Sequence, residues 1–159
     1  MFGPSIYNHP IDDEHLPYRH EVRQVLVPSP WVERMFSKVW PGIVTAWSVG
    51  IDTERWTAAP ESGKDIDILI YDKIFRGREQ IANTILDPMI EEFRRRGLVV
   101  VQLRYGSYME RQFLALSRRV RAMVYLSRHE TQGIALQQTL ASDVPVFGFD
   151  PGGDWQSLE

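Results

Sequence analysis

The chain contains no cysteine, which removes disulfide bonds and thiolate metal sites and accords with a reducing compartment. No apolar run approaches the roughly 20 residues of a bilayer span, and the opening MFGPSIYNHP has neither the basic start nor the apolar core of a secretion signal. A soluble, cytoplasmic protein is expected, with peripheral attachment to a membrane through a partner left open. An excess of positive charge is missing too. The net charge is −3, and the basic residues are scattered apart from Arg94-Arg95-Arg96 and Arg118-Arg119-Val120-Arg121, so no nucleic-acid partner is expected. There is no G-x-G-x-x-G after an apolar run and no G-x-x-x-x-G-K-[ST], so the common dinucleotide and P-loop fingerprints are absent. His129-Glu130 opens like a zinc-protease helix, but position 133 is Gly where a second His is required, so no metal site is expected. His9, His15 and His20 lie in an irregular segment, and no Ser stands in a G-x-S-x-G elbow, so a hydrolase triad has no support.

What is present suits a globule of one ordinary domain, or one and a fraction. Of 159 residues, 43% are apolar and 11% aromatic, with five Trp, ample for a buried core. Residues 1–20, rich in Pro, Asp and His, show no period and read as a surface loop. Residues 21–28 read as a short strand centred on Val25-Leu26-Val27. Ser29 is then expected to cap a helix with Pro30 at its first position and Trp31, Met35, Phe36 and Val39 on one face. Residues 43–49 form another expected strand, and 50–64 a turn-rich connection.

From Asp65 the pattern alternates strand and helix. Strands are expected at 66–71, 98–103, 122–126 and 144–149, and helices around Ile81, Ile85, Met89 and Phe93, at 109–119 and at 132–141. Pro88 either kinks the first of these helices or restarts it with Asp87 as cap. The order predicts an α/β fold, a Rossmann-like parallel sheet with helices on both faces. Only DPGGDWQSLE follows the last strand, and one strand and helix precede residue 40. The sheet is therefore expected to be incomplete at both ends, with 1–48 as the tail of a preceding domain and 49–159 as the ligand-binding domain.

The bend at Ser127 to Gly133 falls where a strand's carboxyl end meets a helix N-terminus, the usual ligand position in open parallel sheets. Gly133 allows close approach to the backbone, and the first-turn N–H groups favour an anion. Glu130 before the turn and Gln138 after it could accept and donate hydrogen bonds to sugar hydroxyls. Alternatively, Glu130 is a capping carboxylate and Gln138 a solvated helix residue.

SRHETQGIALQQTLASDVPV resembles the signature of retaining nucleotide-sugar glycosyltransferases of the two-domain GT-B fold (glycosyl transferases group 1, family-4-like), with Glu, seven residues, a second Glu, a small-residue helix and a Pro-Val strand. Glu130 falls on the first Glu, and Gln138 departs from the second. VLVPSPWVERMF and WSVGIDTERWTAAP are similar, in the right order, to the end of the family's acceptor domain and to its interdomain segment. The resemblance is mostly to the C-terminal, donor-binding half.

It implies binding of a nucleoside-diphosphate sugar as substrate and, in the complete form, transfer of the sugar with retention, without a metal or other cofactor. Glu130 would be the catalytic carboxylate orienting the donor sugar, and Gln138 would meet the ribose. Lys73, Arg76 and Arg78 follow the first strand, where the family holds the diphosphate; Lys73 and then Arg78 are favoured. Tyr105 would stack on the base or merely pack, and Thr131, Gln132, Gly133 and Ile134 would face phosphate and sugar. The acceptor, a saccharide, lipid or protein, would be bound by the N-terminal domain, and a homo-oligomer is left open. A Rossmann-like nucleotide-binding module without catalytic activity is the alternative.

Overall fold

A computed structural model describes residues 9–75, 77–127 and 130–149. Arg76 and His129, and the start of the expected N-terminal loop, lie outside the described residues. The chain divides between Gly50 and Ile51 into two compact units.

The first unit opens with a 3-10 turn, Pro10–Asp13, and one helical turn, α1 (Leu16–Arg19), where a loop was expected. Capping and burial rather than periodicity build them. His9 Nδ1 accepts from the Ile11 N–H and the Asp12 carboxylate from the His9 N–H, and Leu16 and Pro17 are buried. The Trp40 indole N–H donates to the Glu14 carbonyl at 2.9 Å. Strands β1 (Val25–Val27) and β2 (Val44–Ala46) pair in parallel, with Val25 opposite Val44. Helix α2 (Pro30–Ser37) starts at Pro30, but the Ser29 side chain makes no capping bond. Its buried face is Val32, Met35 and Phe36, backed by Trp40, with Trp31 and Val39 at the margin.

The second unit holds β3 (Ile66–Lys73), β4 (Val100–Arg104), β5 (Val120–Ser127) and β6 (Val146–Gly148), all parallel in the order β4-β3-β5-β6. Between β3 and β4 run α3 (Arg78–Ile81) and α4 (Asp87–Arg95), joined through a π-helical segment at Ala82–Leu86. Asp87 is itself helical, and its N–H donates to the Ala82 carbonyl five residues back. Pro88 thus neither restarts the helix nor breaks it. A widened turn accommodates the missing N–H and the ring. After α4, Gly97 takes φ +80, and the N–H of Leu98 returns to the Phe93 carbonyl, closing the helix end.

Helices α5 (Glu110–Ser117) and α6 (Ile134–Ala141) complete the unit. Strand alternation sends Leu69, Tyr71, Met123 and Tyr125 to one face, where they pack with Phe113 of α5 and Ala135 of α6. Ile70 and Leu126 face the other way, onto Ala82, Leu86 and Ile90. The result is the Rossmann-like α/β arrangement with both sheet faces covered. Trp56, in the expected turn-rich connection, is buried and lies 5.5 Å from Phe113, ring to ring. Among the described residues no helix is long and apolar enough to cross a membrane.

The strand order also locates a crevice. From β3 the chain passes to β4 on one side, then crosses through α5 to β5 on the other. The β3–β5 boundary is therefore the topological switch point, where the connections diverge from the carboxyl ends of the strands. Lys73 and Ser127 are paired there.

Candidate functional site

A cavity of about 410 Å³ opens at this switch point, within the size range of small-molecule sites. Strand β3 contributes Tyr71 and Lys73, and β5 contributes Tyr125. Tyr105, Tyr108, Glu110 and Phe113 come from the stretch after β4, and Glu130 to Ala135 with Gln138 from the bend and α6. Of the residues named from sequence, Lys73, Tyr105, Glu130, Thr131, Gln132, Gly133, Ile134 and Gln138 all line it.

Arg78 does not. Its guanidinium lies 2.6 Å from the Asp72 carboxylate, a group wholly inaccessible to solvent. Asp72 also accepts from the Gln102 side chain at 3.1 Å and from the Ile74 N–H at 3.3 Å. Alternation explains the separation, since consecutive strand residues face opposite sides of the sheet.

Glu130 is the centre of the cavity's polar wall. Its Oε2 accepts from Lys73 Nζ at 2.8 Å and from the Tyr125 hydroxyl, and its Oε1 from the N–H groups of Gly133 at 2.8 Å and Gln132 at 3.2 Å. Burial pulls the carboxyl's pKa upward, but the bonds from Lys73 and Tyr125, the lysine's charge and the Gly133 amide outweigh it. The group is held below its ordinary value, as an anion at neutral pH. Burial and the neighbouring carboxylate push the Tyr125 phenol far up, so it is a donor. Burial first, then the bond to Tyr108, does the same to Tyr71.

Gly133 sits at the α6 N-cap with φ +65, and a Cβ there would lie 3.4 Å from Glu130 Cγ. Only glycine combines that backbone with that neighbour at little strain. The expected helix start at 132 thus moves to Ile134. Tyr105 is 45% exposed, with Lys73 Nζ 5.0 Å above its ring centre and Phe75 edge-on at 5.5 Å.

Sequence reasoning missed Tyr71 and Tyr125, which read as strand residues of the core, and Tyr108, which lay in the connection before the expected helix at 109–119. The available signal was parity. Tyr71 shares a strand face with Lys73 and pairs in register with Tyr125. Among the described residues no three acidic or histidine side chains converge as a metal-binding group. No model of a known protein family matches the chain, and no curated protein matches it significantly.

Proposed function

We propose that the second unit binds a nucleoside-diphosphate sugar and is the donor half of a retaining glycosyltransferase. The observation that carries this reading is the Lys73–Glu130 pair spanning the switch point beside a helix N-terminus. It puts a cation suited to phosphate next to a carboxylate suited to sugar hydroxyls, inside one cavity. Lys73 and the first-turn amides of α6 would meet the diphosphate, Glu130 the sugar, Gln138 the ribose, and the exposed ring of Tyr105 the base.

In transfer, the bond from the anomeric carbon to the diphosphate oxygen breaks with its electron pair on that oxygen. The charge develops where Lys73 and the helix terminus lie, which is where stabilisation accelerates the step. The acceptor hydroxyl bonds the same face of the sugar, and its proton passes to a base of the acceptor-binding part. A binding module without transfer is the second reading. It is favoured by the uncharged Gln138, which holds ribose less firmly than a carboxylate would.

Calorimetry with UDP, GDP and their sugars tests both. Binding of one nucleotide series by the wild type, lost on Lys73→Met, is expected. No binding of any of them would sink the enzyme and the module together.

A further inference from the structure

Glu130 Oε2 has two side-chain donors of different kinds. Lys73 brings a charge from the end of β3, and Tyr125 brings a neutral hydroxyl from β5. Tyr125 is 5% exposed, and its ring lies flat against Tyr71, centres 5.1 Å apart and planes 6° from parallel. The Tyr71 hydroxyl is in turn joined to that of Tyr108 at 2.6 Å. The ring that aims the Tyr125 hydroxyl is thus held by packing rather than free to turn away. Tyr105 and Glu110 are the other ionisable groups lining the cavity.

A lysine bound to a half-buried carboxylate is unavailable to phosphate unless the carboxylate keeps other donors, because a buried charge stripped of partners is costly. We propose that Tyr125 is a positioning residue, holding Glu130 independently of Lys73 and so freeing the lysine for an anionic ligand. The identity of that anion rests on the nucleotide-sugar reading; the hold on Glu130 does not. When Lys73 turns to a diphosphate, Glu130 retains the Tyr125 hydroxyl on Oε2 and two amides on Oε1. It therefore stays in place for the sugar.

Two arms test this on the full chain. In the first, Lys73→Met and Tyr125→Phe are made singly and together, and urea unfolding is followed without ligand. Phe keeps the ring stacking, so folding is preserved. The midpoint loss from Lys73→Met should be at least about twofold larger when position 125 is Phe, since the two donors share Glu130 Oε2 and each covers for the loss of the other; simple addition or a smaller loss would overturn the proposal. In the second, pyrophosphate is titrated. Tyr125→Phe should weaken it roughly tenfold, the scale of one hydrogen bond to a charged group. In a Glu130→Gln background the same change should do little, because Lys73 no longer has a charged partner there. Equal losses in both backgrounds, or none in either, would overturn it. If pyrophosphate fails to bind the wild type while the unfolding losses are non-additive, the nucleotide-sugar reading falls and Tyr125's hold on Glu130 stands.

Discussion

Asp72 and Lys73 are neighbours at the end of β3, yet the ion pairs they close differ in kind. Asp72 is sealed from solvent and bound by Arg78, Gln102 and a backbone N–H, away from the cavity. Lys73 and its partner Glu130 both keep partial access to solvent and line the cavity wall. The difference teaches how one strand end serves two purposes. A sealed carboxylate with a single guanidinium partner cannot release it without leaving a buried charge, so that pair belongs to the fold. Glu130 is partly open to water and keeps a hydroxyl and two amides besides the lysine, so it can give up its one cation, and the other pair belongs to a site.

Breaking the sealed pair should have the largest effect. Arg78→Met is expected to cost about 3 kcal/mol, the lower end for stranding a buried charge, seen as a lowered urea midpoint. Nucleotide affinity, measured where the variant is folded, should hardly change. If binding falls as much as stability, Arg78 serves the ligand as well. Gly133→Ala comes next, at about 1–2 kcal/mol for an alanine forced to positive φ. It should also weaken nucleotide sugar, because relieving the strain at φ +65 shifts the Gly133 N–H that holds Glu130. Gly97→Ala, with similar backbone strain outside the cavity, is the control and should lower thermal stability alone.

Smaller effects sharpen the cavity side. Tyr105→Ala should reduce nucleotide affinity by about 1 kcal/mol, as for loss of one stacked base, without moving the melting temperature. The smallest effect concerns acid. Glu130 has its pKa depressed on folding, so its ionised form stabilises the native state. That contribution is complete above the ordinary value of 4.5 and is lost as pH falls through the lower native value. Lys73→Met should therefore narrow the stability gap between pH 7 and low pH in urea titrations.

Much of this architecture was legible in the chain, because β3, β5 and their helices carry the period that burial imposes. The turns at Pro10–Asp13 and Leu16–Arg19 were not, since they rest on His9–Asp12 capping and on Trp40 reaching Glu14 from far along the sequence. Nor was the π-helical segment before Pro88, because a proline in a helical pattern signals disruption but not how the backbone absorbs it. Val32 displaced Trp31 from the centre of the α2 face because tertiary packing decides which stripe is buried. At the site, Glu130 and Gly133 stood out as a polar bend with a glycine. Tyr125 did not, because a strand tyrosine looks like core until its register with Tyr71 is known. Arg78 was grouped with Lys73 because both follow β3, where the resemblance placed the diphosphate contacts. Asp72, a carboxylate inside an apolar strand, signalled that a cation nearby would be claimed by it.

The most direct measurement compares the affinities for a sugar nucleotide and its bare nucleotide in the wild type and in Glu130→Ala. If Glu130 holds the sugar, the variant should lose more affinity for the sugar nucleotide than for the nucleotide. Equal losses would contradict that role and leave Glu130 as no more than the cap of α6.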